Sequence, residues 1–165
     1  MNKKTIIKLS QELLQALVIV AFFYFFLFPV NVTGVSMMDT LCDGDKVLAS
    51  RAAAVFDMYD TDDVVIIKFN HNGENIRIVK RIAAEEGDSI SINNGNLYIN
   101  GSLKEGIFVD KERYEEYILE KGQIFVLGDN AKESIDSRDF GPFDKGDVES
   151  RVFVKVYPFD SIERL

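Results

Sequence analysis

The sequence predicts a mainly β protein, with one N-terminal transmembrane helix followed by an antiparallel β-sheet or barrel-like domain. Two observations carry this prediction. The stretch from Leu13 to Val32 contains no charged residue. After Thr33, short runs rich in Val, Ile, Phe and Tyr alternate with Gly, Asn and Asp, which is typical of antiparallel strands joined by turns. A chain of 165 residues has room for one domain of ordinary size.

The apolar stretch is long enough to cross a bilayer, because a helix rises about 1.5 Å per residue and the hydrocarbon core is about 30 Å thick. Lys3, Lys4 and Lys8 precede it, and the positive-inside rule places that side in the cytoplasm. We therefore predict a single-pass protein of the cell membrane in three segments: a cytoplasmic N-terminus at 1–11, a transmembrane helix at 12–32 and an extracellular domain at 33–165.

This stretch has two alternative interpretations, a cleaved secretion signal and a buried core helix. A basic start and an apolar stretch also fit a cleaved secretion signal. Against that, the stretch is longer than a usual signal core, and no small-x-small cleavage site follows the segment 28–32. A buried core helix is the other alternative, but a run that is apolar on every face suits lipid better. A retained anchor in the lipid bilayer is favoured.

Charge and composition limit the function. The formal net charge is −8, and residues 1–32 hold three Lys and one Glu, which leaves −10 for the exported part. Such an acidic domain argues against a nucleic-acid partner, since phosphate binding needs a basic face. The single Cys42 excludes an internal disulfide, and one Cys with one His excludes metal sites built on several of either. No metal and no cofactor are predicted.

Seven segments have the composition of strands. Three turn signals separate some of them, at 70–73, 93–96 and 100–101, each containing Asn followed by Gly. One segment after the anchor, Lys111–Glu120, has a plausible helical pattern, and its charge suggests an exposed face. The predicted strands are Lys46–Leu48, Val64–Phe69, Ile76–Ile82, Ser89–Ile92, Leu97–Ile99, Ile124–Leu127 and Arg151–Tyr157.

A hydrolytic mechanism without a metal needs a nucleophile and a base. His71, the only His, lies in a predicted turn, which is a poor place for a base that must be held rigidly. Strand alternation places Lys80 in a row with Ile78 and Ile82, and burial there would lower its pKa and favour the neutral amine. By pattern alone, a lysine that snorkels from the strand edge or forms a buried ion pair is slightly favoured over a catalytic one.

The candidate nucleophile is Ser36, four residues beyond the apolar run. Gly34 precedes it and allows close approach of a backbone. A serine after a membrane helix is common in itself, so its position alone does not assign it a role.

Three motifs in order resemble those of bacterial type I signal peptidases. The segment 34–41, GVSMMDTL, resembles the G-x-S-M-x-P-T-L motif that carries the nucleophile. The segment 79–82, VKRI, with Gly87 and Asp88, resembles the K-R-I…G-D motif that carries a lysine base. The segment 128–141, from GDN to SIDSRDFG, resembles the G-D-N…S-x-D-S-R-x-F-G motif. Together with the anchor, these motifs span nearly the whole chain.

This resemblance implies a serine endopeptidase of the signal peptidase type, most similar to the small Gram-positive form. Ser36 would attack the scissile carbonyl and Lys80 would take its proton. Ser134 matches the hydroxyl that orients the lysine, as expected for an activated nucleophile. Asp136 and Arg138 match a structural ion pair that braces the site.

The resemblance also implies how substrate is bound. The Ser36 amide would donate to the oxyanion. Gly34 takes the place where some relatives have a second, serine donor, and Met37 falls in the same substrate-binding segment. The implied substrates are exported preproteins with small residues at −1 and −3 from the cut.

Two residues depart from the motifs, since Asp39 replaces a proline and Ala131 replaces an arginine. The insertion at 88–123 is short and is expected to form a small β cap or hairpin. These departures would suit an enzyme dedicated to one exported or pilus-type substrate. The alternatives are a non-proteolytic membrane assembly factor on the same fold, a self-cleaving repressor, which would need a DNA-binding domain, and an extracellular binding module.

Overall fold

The computed structural model describes residues 3–108 and 114–165. Three α-helices and twelve strands occur in these residues. The helices are α1 (Lys3–Phe26), α2 (Arg51–Val55) and α3 (Ser137–Phe140), and short 3-10 turns lie at Ala131–Glu133, Lys145–Asp147 and Phe159–Ser161. The strands are β1 (Phe28–Asn31), β2 (Lys46–Ser50), β3 (Val64–His71), β4 (Glu74–Glu85), β5 (Ser89–Asn93), β6 (Asn96–Ile99), β7 (Ser102–Phe108), β8 (Tyr114–Ile118), β9 (Gln123–Leu127), β10 (Phe143–Asp144), β11 (Val148–Tyr157) and β12 (Glu163–Arg164).

The larger sheet of the described residues is antiparallel and has the order β1-β2-β11-β3-β4-β9-β10, with β12 paired to β11. Both faces of β3 are buried, because successive side chains of a strand point to opposite faces. Val64 and Ile66 belong to one apolar cluster, with Met37 and Val152, while Val65 and Ile67 belong to another. Because both faces are buried, residues 64–67 are all Val or Ile.

A smaller antiparallel sheet, in the order β7-β6-β5-β8, lies within the predicted insertion at 88–123. Tight two-residue turns join its hairpins: Asn94 and Gly95 have φ of 50° and 77°, and Asn100 and Gly101 have φ of 51° and 73°. Asn followed by Gly favours this left-handed conformation, so the sequence specifies the turn type. The insertion predicted as a cap or hairpin is therefore a four-stranded sheet.

All seven predicted strands are present, but the helix predicted at Lys111–Glu120 is wrong where it can be examined. Residues 114–118 form β8, and 111–113 lie outside the described residues. Tyr117 is half-buried and packs against the core of the smaller sheet, whereas Glu116 and Ile118 on either side are exposed. This alternation has the period of a strand, and pairing with β5 outweighs the local helical preference of the charged residues.

The boundaries of the N-terminal helix also differ from the prediction of 12–32. Helix α1 begins at Lys3, inside the segment expected to precede it, and ends at Phe26. Pro29 lacks an amide hydrogen and disfavours helix in the residue before it. Strand β1 follows, pairing Phe28 with Ala49, so the folded domain begins at β1 rather than at residue 33.

By length and composition α1 can cross a membrane. None of its residues is buried against the rest of the protein, which disfavours the core-helix alternative.

Candidate active site

Ser36 and Lys80 lie side by side, although 44 positions separate them in the sequence. Ser36 occupies the turn after β1, and Lys80 lies near the middle of β4, opposite Val65 of β3. The Lys80 Nζ donates a hydrogen bond of 2.6 Å to the Ser36 Oγ. Lys80 is only 3% exposed, as the alternation with isoleucines in β4 predicts. The two residues predicted to be the nucleophile and the base are therefore in direct contact.

The surroundings of Lys80 favour its neutral form. Burial lowers the pKa of Lys80 below its ordinary value, because the ammonium ion loses its hydration. The Asp136 carboxylate opposes this lowering, Arg138 adds to it, and Asp129 opposes it. Because burial is the largest influence, the net direction is downward and the amine is brought closer to acting as a base at neutral pH.

Hydrogen bonds fix the turn that carries Ser36. The Met38 amide donates to the Val35 carbonyl at 3.1 Å, and the Leu41 amide donates to the Met37 carbonyl at 2.6 Å. Asn130 links the loop after β9 to this turn, since its backbone amide donates to the Ser36 carbonyl at 2.9 Å. Its side-chain Nδ2 also donates to the Val35 carbonyl, at 3.0 Å.

The Ser36 amide remains available to a ligand. Within the described part of the chain it donates no hydrogen bond. An N–H group in this position can donate to an oxygen of a substrate carbonyl that Ser36 attacks.

Gly34 and Met37 flank the nucleophile on its two sides. Gly34 has φ of 90°, a conformation that favours glycine, and its amide donates to the Asp43 Oδ1 at 2.8 Å. Met37 is 2% exposed and belongs to the core cluster with Leu41 and Val47. Both residues border the cleft beside Ser36, and their part in binding substrate stays a prediction.

Asp136 and Arg138 form a buried ion pair, with Nη2 and Oδ2 separated by 2.8 Å. The Ser134 hydroxyl donates to the same Oδ2 at 2.6 Å, and the Gly128 amide donates to it at 2.9 Å. Burial opposes ionisation of this carboxyl, but hydrogen bonds from Arg138, Ser134 and the Gly128 amide hold its pKa below the ordinary value. The ion pair therefore remains charged around neutral pH.

Ser134 was predicted to orient Lys80. In the described residues, the hydrogen bond of its hydroxyl goes to Asp136, and the hydrogen bond of Lys80 goes to Ser36. Ser134 lies next to the nucleophile turn, because a Cβ added at Gly128 would overlap both its hydroxyl and the Ser36 carbonyl oxygen. Its direct action on the lysine stays a prediction.

A second set of contacts, which sequence reasoning missed, links the three motifs. Arg81 forms a bidentate ion pair with Asp129, through Nε–Oδ1 at 2.9 Å and Nη2–Oδ2 at 2.7 Å. Its Nη2 also donates to the Thr40 hydroxyl at 3.2 Å, and its Nη1 donates to the Asp62 carbonyl at 2.7 Å. Lys155 donates to the Thr40 carbonyl at 3.2 Å. The motifs contain Thr40, Arg81 and Asp129, but nothing in their spacing indicates that they touch.

Asp39 and His71 take no part in the contact between Ser36 and Lys80. Asp39 is exposed in the turn, and the carboxylates that influence the pKa of Lys80 are those of Asp136 and Asp129. His71 is the exposed last residue of β3, with its ring 5.1 Å from that of Phe140. These positions favour the interpretation of Asp39 as a turn residue and of His71 as a surface residue.

A cleft of about 300 Å³ opens beside Ser36 and Lys80. It runs along the segment that follows α1, and its walls combine apolar side chains with polar groups. The apolar ones are Val30, Val32, Met37, Ile66, Ile78 and Val79. An extended peptide can place small apolar side chains against these residues while its backbone meets the polar groups.

Several known proteins are similar to this chain. Thylakoidal processing peptidase 1, chloroplastic, from Arabidopsis thaliana is 30% identical over 143 residues, which cover 79% of this chain and 42% of the relative. Signal peptidase I S from Bacillus subtilis is 28% identical over 179 residues, covering 99% of this chain and 95% of the relative. A solved signal peptidase I from Enterococcus faecalis V583 matches with a TM-score of 0.39 and 24% identity, covering 56% of this chain and 97% of that one.

The chain thus spans less than half the length of the chloroplast relative and nearly all of the bacterial one. Residues 6–157 match the family described as signal peptidase, peptidase S26. That match contains the turn with Ser36, strand β4 with Lys80, and the segment that holds the buried ion pair. The chain belongs to the signal peptidase family, peptidase S26.

Proposed function

We propose that this protein is a membrane-bound serine endopeptidase that removes N-terminal signal peptides from exported preproteins, with Ser36 as nucleophile and Lys80 as general base. The observation that carries the proposal is the 2.6 Å contact between the Lys80 Nζ and the Ser36 Oγ. The lysine is buried and its pKa is lowered, as a base near neutral pH requires. A non-proteolytic assembly factor would have no need for a neutral, buried lysine held against a serine.

The reaction follows from this contact. Neutral Lys80 takes the proton of the Ser36 hydroxyl as the Oγ attacks the scissile carbonyl, which gives a tetrahedral oxyanion and a Lys80 ammonium. The ammonium then passes its proton to the departing amine of the mature chain, and an ester of Ser36 remains. In the second half, Lys80 takes a proton from water as the water attacks the ester. The resulting ammonium returns that proton to the Ser36 Oγ as the ester bond breaks, which releases the signal peptide and restores both Ser36 and neutral Lys80.

The oxyanion is stabilised by the Ser36 amide, which has no other acceptor among the described residues. One such donor contributes a few kcal/mol in other proteases. With glycine at 34, no side-chain hydroxyl from that position assists it. A serine at 34 would have space, but it would be strained by the φ of 90°.

The cleft beside Ser36 supports a preference for small residues at −1 and −3. Its volume of about 300 Å³ and the apolar side chains in part of its wall suit short side chains. Cofactors and metals have no part in this mechanism.

Helix α1 would anchor the enzyme in the bilayer. Lys3, Lys4 and Lys8 lie at its start, so the positive-inside rule orients that end to the cytoplasm and the β domain to the outside. Strand β1 follows α1 after one residue, which would hold the cleft close to the membrane surface where cleavage sites emerge.

The test is cleavage of a preprotein with an Ala-x-Ala site by the full-length protein in liposomes. Mass spectrometry of the product should give a mature chain that begins immediately after the second alanine. Ser36→Ala should give no product while its circular dichroism matches the wild type. The absence of cleavage by the wild type, or equal cleavage by Ser36→Ala, contradicts the proposal.

A further inference from the structure

A second, larger groove begins beyond the turn that carries Ser36. We call it the second groove; its volume is about 580 Å³, and it lies between the nucleophile turn, the loop after β9 and strand β7 of the smaller sheet. None of its lining residues comes from α1 or β1. The charged residues that line it include Asp39, Asp62, Lys104, Glu105 and Lys132.

The part of the second groove next to the nucleophile is rigid. Thr40, Arg81 and Asp129 are bound to one another there, as described above. Asn130, which also lines the groove, holds the Ser36 carbonyl. The second groove therefore continues directly from the catalytic turn and is fixed to it by hydrogen bonds.

The side of the second groove formed by the nucleophile turn carries two carboxylates. Asp39 and Asp62 lie on this side, because the Arg81 guanidinium touches both the Thr40 hydroxyl and the Asp62 carbonyl. Lys104 and Lys132 lie on the other side together with Glu105, where β7 packs against the 3-10 turn at 131–133. In the described part of the chain neither these two aspartates nor these two lysines have a charged partner. They are available to a ligand.

Resting on the proposed function, we infer that the second groove binds the first residues of the mature chain, after the scissile bond, and that Asp39 favours a basic side chain there. The direction follows from the membrane helix. The cleft with Lys80 adjoins the segment directly after α1, so it takes the part of the substrate that is tethered to the bilayer. The product side must then leave Ser36 toward the second groove.

Asp39 is the charged group of the second groove nearest to Ser36 in the chain. It follows the nucleophile by three residues, in a turn whose backbone is closed by hydrogen bonds. Since it is exposed and unpaired among the described residues, a lysine or arginine at the first or second mature position can approach it without displacing another cation. Asp62 adds to the negative potential on the same side.

The experiment compares three preproteins that differ only in the second mature residue, which is Lys, Ser or Glu. The kcat/KM of the full-length wild type should be higher for Lys than for Glu by about fivefold, because the carboxylates attract one side chain and repel the other across a solvent-screened separation. In Asp39→Asn this ratio should fall to about twofold or less, because one interacting charge is lost. Asp62→Asn provides an independent variant and should lower the ratio in the same direction.

The matched control is Asp160→Asn, which removes an exposed carboxylate that does not line the second groove. Its Lys-to-Glu ratio should equal that of the wild type. A wild-type ratio near one, or a ratio unchanged in both Asp39→Asn and Asp62→Asn, overturns the inference while cleavage itself still supports the proposed function. If the wild type cleaves none of the three preproteins, the proposed function and the inference both fail.

Discussion

Lys80 brings together two requirements that conflict energetically. A base needs its amine neutral and buried, but a lysine is most stable when charged and hydrated. Lys80 is 3% exposed and its pKa is lowered, which suits the base of the proposed mechanism. The proposed mechanism therefore implies a loss of stability at Lys80, as is common at active sites.

A first prediction follows for the free energy of unfolding. Lys80→Met keeps the apolar stem and removes the desolvated amine, so it should be more stable than the wild type by about 0.5–2 kcal/mol near pH 7. Because the pKa of Lys80 is lower in the folded than in the unfolded chain, the unfolded chain binds more protons between the two values, and wild-type stability rises with pH.

The advantage of Lys80→Met should therefore shrink as pH approaches the ordinary lysine pKa of about 10.4. Urea unfolding at several pH values measures it, with Lys68→Met, which changes an exposed lysine, as control. A Lys80→Met protein that is less stable at neutral pH would show that the amine stabilises the fold.

Asp39 provides a second prediction at the same scale. It is exposed, and the charges that influence the pKa of Lys80 belong to Asp136, Arg138 and Asp129. Asp39→Pro should therefore leave the acid limb of the kcat/KM profile where it is in the wild type. Its shift to lower pH would mean that the Asp39 carboxylate reaches the base and raises its pKa.

The role of a residue could be predicted where a local sequence pattern indicates its position. Strand alternation placed Lys80 on an apolar face, the resemblance to known motifs suggested the roles of Lys80 and Ser36, and the structure brings the two into contact. The link from Arg81 to Asp129 could not be predicted, since 48 positions separate the two and their contact depends on the register between β4 and β9.

At the scale of elements, Gly128, the residue directly after β9, lies against the turn that carries Ser36. A Cβ there would overlap the Ser134 hydroxyl and the Ser36 carbonyl oxygen, both of which are held by hydrogen bonds. Gly128→Ala should therefore displace the catalytic turn. We expect at least a tenfold loss of kcat/KM and a loss of about 1–3 kcal/mol in unfolding free energy, the usual result of overpacking.

The matched control is Gly146→Ala. No atom lies within 4 Å of the position of its added Cβ, so activity and stability should stay near wild-type values. If both substitutions behave alike, the close approach of β9 to the Ser36 turn is not needed for activity.

Strands β1 and β8 were not predicted, because the composition of each segment does not distinguish it from a helix. Strand β1 is apolar and directly continues the membrane stretch, so composition alone does not separate it from α1. Strand β8 is rich in charge and Tyr, and its pairing with β5 decided its conformation. By contrast, the turns with Asn followed by Gly were predicted because their backbone conformation is a property of those residues.

For the whole molecule, the boundary between α1 and the β domain determines which residues a truncated protein without the membrane helix must retain in order to fold. Phe28 and Val32 are buried in the core, and β1 pairs with β2. Deletion of residues 1–26 should give a folded β domain, whereas deletion of residues 1–32 removes both side chains and the edge strand. Burial of each side chain contributes roughly 1.5–3 kcal/mol, so the shorter form should be less stable by about 3 kcal/mol or more.

Thermal unfolding of the two truncated proteins measures this difference, and circular dichroism should be dominated by β structure in the longer form. Equal melting temperatures would place the start of the domain at residue 33 rather than at Phe28. On membrane-bound substrates both forms should be less active than the full-length protein, since they lack α1.

The most direct test of the Ser36–Lys80 mechanism is the kcat/KM of Lys80→Arg on a preprotein with an Ala-x-Ala site. A guanidinium stays charged, so it can fill the position of the amine but cannot take the Ser36 proton. The mechanism predicts a loss of roughly 100-fold to 10,000-fold, the contribution of a general base, in a protein that still folds. Cleavage within tenfold of the wild type, in a preparation where Ser36→Ala is inactive, would contradict Lys80 as the base.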